Sequence, residues 1–424
     1  MGSERGRKIV VVGAGPAGIA AACAAAEAGC AVVLMDDNPT AGGQIWRGGG
    51  GREAAQWTAR LEASGARCWY GACVVSAAGG TVVAERDGEP MRIEYHELIL
   101  ATGARELFLP FPGWTLPGIT GLGGLQALAR GGVPVRGKRV VLCGSGPLLL
   151  AVAAHLREHG ARVEAMAEQA DFGRLVRFAA RLVRWPGKLA QGLGLQWALR
   201  SVPFLTGAWP VAAEGRGELE SVLLRTVQGT RRIACDWLGC AFGLIPNAEL
   251  AAFLGCRIEA GVVAVDEWQR TNVAHVFCAG EPTGIGGLER SLAEGQIAGW
   301  AAAGQETKAR ALFGRRADLH RFSAELAEAF ELRQELKELA SADTIVCRCE
   351  DVRRRELAGY GGWRGAKLQT RCGMGPCQGR ICGPACSFLF GWDTLSGRVR
   401  PPVFPASMGT VAAAGERQRR EARV

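Results

Sequence analysis

The sequence contains no uninterrupted apolar run of about eighteen residues, the length a helix needs to cross a bilayer, so no membrane span is expected. No C-x2-C pair occurs before residue 347, and the C-x4-C spacings there, Cys68/Cys73 and Cys235/Cys240, do not fall in the helices that open at the glycine-rich turns, so no dithiol exchange pair is expected on those helices. Histidine is scarce: His96, His155, His159, His275 and His320 stand singly. None lies in a pattern that suggests an acid–base catalyst, and each reads as a satisfied surface or core histidine. No cleavable leader is expected either. Gly13, Gly15, Pro16 and Gly18 break the first apolar stretch, and no cleavage-like site follows it.

What is present is globular. The 424 residues are 48% hydrophobic and 21% charged, enough for two or three domains that each bury a core. The formal charge of +9 is mostly arginine spread along the chain, so no nucleic-acid partner is expected. One concentration, "GRLVRFAARLVRW", sets Arg174, Arg177, Arg181 and Arg184 at helical spacing and reads as the solvated face of an amphipathic helix. The C-terminal "ERQRREARV" reads as frayed and solvated.

Two glycine-rich turns organise the larger part of the chain. "KIVVVGAGPAGIAAACAAAEAGCAVVLMDD" supplies an apolar strand, the glycines Gly13, Gly15 and Gly18, an alanine-rich helix, a second strand and then Asp36 and Asp37. This is the order of a dinucleotide-binding βαβ unit. The first glycine allows the tight turn, the second lets a pyrophosphate reach the backbone, and the third lets helix pack on strand. The helix N-terminus faces the phosphates, and Asp36 is placed to accept from a ribose. "GKRVVLCGSGPLLLAVAAHLREHGARVEAMAE" repeats the order with Gly144 and Gly146, but Leu149 stands where the third glycine belongs, and Glu168 ends the second strand. The leucine is expected to push the helix from the strand and narrow the phosphate cleft. NAD(P), ATP or nothing remains open for that second site.

Fifteen cysteines are present. Nine of them (Cys23, Cys30, Cys68, Cys73, Cys143, Cys235, Cys240, Cys256 and Cys278) are spread through apolar segments, as small buried hydrophobes are. That usage suits a reducing cytoplasm. The other six lie between Cys347 and Cys386. Cys347 and Cys349 form C-x-C, and after 27 intervening residues Cys377 and Cys382 form C-x4-C. Four thiolates in two short pairs can hold a tetrahedral zinc ion or an iron–sulfur cluster, and spacing alone leaves the two open. Gly373, Gly375, Gly379 and Gly383 suit a loop that wraps a cluster.

Beyond the first turn come "AGGQIWR", "ELILATGARE" and "HVFCAGEPTGIGGLERSLAEGQIAGWAAA". These resemble the FAD-binding elements of two-dinucleotide-domain flavoproteins. The resemblance implies FAD in the first site, bounded by Gly13, Gly15, Pro16, Ala17, Gly18, Asp36, Asp37, Gly43, Gln44, Val74, Ala101, Thr102, Gly103, Gly280, Glu281, Gly287 and Leu288. Glu281, where that family usually has aspartate, would bond the ribityl chain, and the backbone at Gly287 and Leu288 would meet the isoalloxazine. "CRCEDV" with "TRCGMGPCQGRIC" resembles the 2Fe–2S domain related to bacterioferritin-associated ferredoxin. That resemblance implies the ligands Cys347, Cys349, Cys377 and Cys382, with Cys372 and Cys386 as nearby spares.

"LPFPGWTLPGI", "GGLQAL" and "GSGPLLL" are similar to the FAD-containing subunits of opine oxidases, D-hydroxyproline dehydrogenase and hydrogen cyanide synthase. The implied fold is α/β: two Rossmann-like domains of glutathione-reductase type (an FAD/NAD(P) fold) plus a small helical 2Fe–2S domain. The expected ranges are 1–125 and 266–310 for the FAD domain, 126–265 for the inserted second domain, 311–341 for a helical connector, 342–395 for the cluster domain and 396–424 for a tail. The implied role is an electron-transfer subunit of a heteromeric dehydrogenase acting on C–N bonds, with electrons reaching a quinone or another acceptor. Its implied partners are an FAD subunit of D-amino-acid-oxidase fold and a small ferredoxin-like subunit, with an FMN at a subunit interface. Peripheral association with a quinone-reducing chain at the inner membrane stays open. The rival readings are a stand-alone NAD(P)H reductase and a structural subunit with a zinc site.

Overall fold

The computed structural model describes residues 6–47, 50–395 and 399–421. The chain divides into two units: Met1–Arg105 with Ile245–Ser323 and Leu395–Val424, and Glu106–Leu244 with Ala324–Thr394.

The first unit is built on a five-stranded parallel sheet in the order Val276–Cys278, Glu97–Leu100, Lys8–Val12, Ala31–Asp36, Arg67–Tyr70. Its central strands are continuous apolar runs because both faces are covered: Ile9, Val10 and Val11 are fully buried. The helix Pro16–Glu27 lies against the helix Gly287–Ala302. The two approach closely, because a Cβ on Gly295 would stand 2.1 Å from the Ala17 carbonyl oxygen. An antiparallel sheet of Ala72–Ala78, Thr81–Arg86 and Glu89–Glu94 completes the unit. The C-terminal segment is tied to it: Val403 donates to the Val75 carbonyl (2.8 Å), and Ser407 N–H to Glu85 (2.7 Å). The tail expected to fray is helical from Met408 to Glu421, and residues 422–424 lie outside the described residues.

The second unit repeats the plan. Its parallel sheet runs Phe204–Thr206, Arg162–Glu168, Arg139–Gly144, Trp237–Ala241, Ile119–Gly121, with an antiparallel sheet of Trp209–Glu214, Ser221–Thr226 and Gly229–Ala234. The boundaries fall at 105–106 and 244–245, earlier than the sequence suggested. The reason is pairing: Leu107 donates to Gly243 and Ile119 pairs with Leu238, whereas Asn247 donates back to Gly103. The cysteine-rich segment is compact within this unit. Val346, Val352, Leu357, Trp363 and Trp392 form its small core around the buried thiols.

The arginine-rich helix Phe172–Arg181 is only partly the solvated face that the sequence suggested. Arg181 pairs with Glu325 and Glu328 (both 2.6 Å), and Arg174 donates to the Glu331 carbonyl (3.0 Å). Arg177 and Arg184 are exposed as expected, but so are the apolar Phe172, Val176 and the following Val183. Among the described residues no helix is long and apolar enough to cross a membrane.

Candidate functional site

The first glycine turn is shaped by what surrounds it. Gly13 has φ +105°, and a Cβ there would lie 2.2 Å from the Ala101 carbonyl oxygen, so only glycine lets the turn pass under the strand end at Ala101. A Cβ at Gly18 would come within 1.7 Å of the Gly13 oxygen, which is the helix-on-strand contact expected of the third glycine. Gly15 caps the helix that begins Pro16-Ala17. The second glycine stretch folds alongside: Gly42 donates to the Ala14 carbonyl (2.8 Å), and Gly43 and Gln44 open a short helix ending at Trp46.

Asp36 is buried at the end of its strand, where its carboxylate accepts from the Ala14 amide and from Asn38 N–H (2.8 Å) and Nδ2 (2.6 Å). Asp37 is exposed beside it. The Thr102-Gly103 bend is clamped from far along the chain. The Thr102 hydroxyl donates to the Asn247 carbonyl (2.6 Å), and Asn247 Nδ2 donates to the Thr102 carbonyl (2.9 Å). Val74 is buried in the apolar cluster with Val12, Met35 and Leu100.

The Gly280–Gly287 turn holds the clearest sign of a ligand site. Glu281 Oε1 accepts from Gly287 N–H (2.8 Å), but Oε2 is buried with no hydrogen-bond partner. Burial pushes this carboxyl up, opposed by the Gly287 and Gly286 amides. A buried acceptor left open costs about 1–3 kcal/mol, so the residues fit a ligand bearing hydroxyl donors, as a flavin's ribityl chain does.

Beneath this turn lies a buried ionic network. Glu294, 0% exposed, accepts from Gly280 N–H (2.9 Å), the Thr283 hydroxyl (2.8 Å), Arg290 Nε (2.8 Å) and His320 Nε2 (2.9 Å). Burial alone would raise its pKa; the His320 hydrogen bond and the Arg290 charge outweigh that and hold it below the ordinary carboxylate range. Sequence reasoning missed Glu294, Arg290, His320 and Asn247. The only signal for the first pair was an Arg and a Glu four apart in a helix rich in small and apolar residues; for Asn247 there was none.

The second glycine turn keeps its backbone geometry, since Gly144 at φ +143° would place a Cβ 1.8 Å from the Ala241 oxygen. Leu149, standing where the third glycine was expected, is an inward-facing residue of its helix. It is 1% exposed and packs in the apolar core with Leu122, Val140 and Val152. Glu168 turns inward, accepting from Gly146 N–H (2.7 Å) and Ala170 N–H (2.8 Å). Burial lifts its pKa to about 7 against those two amides.

The C-terminal thiols converge. The sulfurs of Cys347, Cys372 and Cys382 lie within 4.8 Å of one another, all buried. Cys377, half-buried, faces both Cys382 and the exposed Cys349. Cys372 also faces Cys386. The expected four are thus neighbours in one patch, but the tightest trio includes Cys372 in place of Cys349 and Cys377. Gly373 N–H points at Cys347 Sγ (3.4 Å). The Cys372 and Cys382 thiols hydrogen-bond to Cys347 and lower it to about 2, and the Cys382 thiol lowers Cys377 to about 5. Thiolates opposed by thiols, with backbone amides aimed at sulfur, fit a metal or iron–sulfur group that would replace the shared protons.

Comparison with known proteins agrees with this picture. Residues 7–307 match the model of the pyridine nucleotide-disulphide oxidoreductase family. Over 430 residues the chain is 34% identical to the HcnB subunit of hydrogen cyanide synthase from Pseudomonas aeruginosa, covering 89% of this chain and 91% of that protein. It is 34% identical over 454 residues to one of the opine oxidase subunits of Rhizobium meliloti, covering 95% and 98%. The structure of L-proline dehydrogenase from P. horikoshii superposes with a TM-score of 0.67 at 19% identity, covering 96% of this chain and 81% of that one. Thioredoxin reductase from Lactococcus lactis gives 0.55 at 20%, covering 71% and 99%.

Proposed function

The chain belongs to the pyridine nucleotide-disulphide oxidoreductase family and is an FAD-dependent oxidoreductase; from that premise we propose that it is the electron-transfer subunit of a heteromeric dehydrogenase. The substrate class is a C–N bond in an opine, a D-amino acid or a related secondary amine, oxidised on a partner flavin subunit of D-amino-acid-oxidase fold. The similar proteins are named as subunits, one of a synthase and the other of an oxidase, which supports a role inside an assembly. FAD would be held by the Gly13–Gly18 turn, Asp36, Thr102 and Glu281, and a 2Fe–2S cluster by Cys347, Cys349, Cys377 and Cys382. When bound, a flavin takes electrons in pairs and an iron–sulfur cluster passes them singly, which suits delivery to a quinone or another acceptor.

The protein's own residues set the conditions. Glu281 offers an open acceptor in a buried position, and Glu294 fixes the turn that carries it. The Gly373 amide favours negative charge on Cys347. The observation that carries the reading is the convergence of Cys347, Cys372 and Cys382 within 4.8 Å, with Cys377 and Cys349 adjoining, in a chain that also has the flavoprotein fold.

The test is anaerobic purification followed by an absorption spectrum, with iron and acid-labile sulfide determined. Flavin absorption with brown iron–sulfur absorption and two irons per chain is expected. A colourless, iron-free protein would overturn the proposal, and colourless protein with one zinc would favour a structural site instead. Rapid flavin bleaching by NADH without a partner would favour a stand-alone reductase.

A further inference from the structure

The two glycine turns of this chain are internal controls for each other. In the first, the residue between the paired glycines is Ala14, and the residue after the strand-end acid is the exposed Asp37. In the second, the equivalent positions are Ser145 and Gln169; Ser145 is buried, as Ala14 also is, whereas Gln169 is 0% exposed where Asp37 is open. In a nucleotide-binding unit these positions lie where the adenosine half meets the end of the second strand. Here they are covered by the chain's own backbone.

The covering segment is the stretch 330–333, which follows the helix Phe313–Ala329 and leads to the cysteine-rich segment. The Ser145 hydroxyl donates to the Phe330 carbonyl (3.0 Å). Gln169 Nε2 donates to Ser145 Oγ (2.9 Å) and to the Glu331 carbonyl (3.2 Å). In return, Arg333 N–H donates to Gln169 Oε1 (3.2 Å), and Arg333 Nε to the Gln169 carbonyl (2.9 Å). Asp171 pairs with the same guanidinium (3.4 Å). Gln169 therefore uses amide oxygen, amide nitrogen and backbone carbonyl on this contact. Glu168 accepts from the Gly146 and Ala170 amides just as Asp36 accepts from those of Ala14 and Asn38, so the strand-end acids are alike and the difference between the turns lies in Ser145, Gln169 and the segment across them.

We propose that the second dinucleotide motif binds residues 330–333 of its own chain in place of an adenine nucleotide, and that Ser145, Gln169 and Arg333 determine this. The motif is then an anchor for the connector into the cysteine segment, and reducing equivalents do not enter from NADH or NADPH. This goes beyond the proposed function, because it concerns the second motif whatever the partner subunit is.

The test is hydrogen exchange read by mass spectrometry on the full-length, FAD-loaded chain. In the unmodified protein the amides of 330–333 should be protected, and millimolar NADH or ATP should leave exchange over 144–150 and 330–333 unchanged. In Gln169→Ala/Arg333→Ala, exchange at 330–333 should rise roughly tenfold or more, as several buried hydrogen bonds are lost. If the double variant does not fold, Arg333→Lys, which loses the Nε bond to the Gln169 carbonyl, should show a smaller rise in the same peptide. The proposal is overturned if NADH or ATP slows exchange over 144–150 in the unmodified protein while releasing 330–333. It is equally overturned if the variants leave 330–333 as protected as before. Absence of iron from the purified chain would sink the proposed function and leave this inference standing.

Discussion

Replacing Glu294 by glutamine probes how the Gly280–Gly287 turn is held. The carboxylate is fully buried and serves four donors: Gly280 N–H, Thr283 Oγ, Arg290 Nε and His320 Nε2. A glutamine oxygen can still accept from Gly280 and Thr283. Its amide nitrogen then faces Arg290 and His320 as donor against donor. Arg290, itself only 6% exposed, keeps its charge without a counter-ion. Breaking a buried pair by removing one partner costs about 3–5 kcal/mol, a large share of the ~5–15 kcal/mol by which a domain is stable. Urea unfolding of Glu294→Gln at saturating FAD should show a loss of that size, and flavin fluorescence should show weaker FAD retention as the turn loosens. The sign of the pH dependence follows from the lowered pKa. Stability from the ionised carboxylate is full above the ordinary, unfolded value and is lost as the pH falls through the lower folded one. The variant should lack this acid limb. In Arg290→Met/Glu294→Gln, with both charges gone, part of the loss should return. A single variant within about 0.5 kcal/mol of the parent would refute the reasoning, because surface substitutions do no more than that.

Other outcomes follow from separate features. Glu281→Ala removes the open buried acceptor and should weaken FAD binding roughly tenfold, measured by equilibrium dialysis. Glu168 is raised from 4.5 to about 7, so its contribution is full below 4.5 and is lost as the pH rises through 7; Glu168→Gln should flatten the melting-temperature profile across that window. Cys347→Ser and Cys382→Ser should abolish iron retention in the anaerobically purified protein while leaving the flavin spectrum intact. Cys372→Ala should keep iron, and its loss would move Cys372 into the ligand set.

Much of the fold was legible because its signals are local. Ile9–Val12 and Arg139–Cys143 read as buried strands, and the glycines that follow mark turns that a side chain would block. The C-x-C and C-x4-C pairs announced a thiolate site, since short spacing alone forces those sulfurs near one another. The fate of Leu149 was not legible. Whether a leucine at that position enters a cleft or the core depends on which side of the helix its neighbours pack, and Leu122 and Val140 came from other elements to receive it. The arginines of "GRLVRFAARLVRW" had the right periodicity, but Glu325 and Glu328, far along the chain, decided that Arg181 would be paired.

The sequence by itself determined the two βαβ units, the acids at their strand ends and the grouping of the C-terminal thiols, because each rests on spacing within a few tens of residues. Only the tertiary structure decided that Cys372 stands among the tightest thiols, that Glu294 and Asn247 brace the turns at Gly280 and Thr102, and that 330–333 lies across Ser145 and Gln169. Those contacts join residues separated by up to about 185 positions, and a hydrogen bond across that distance exists only once the chain between has folded.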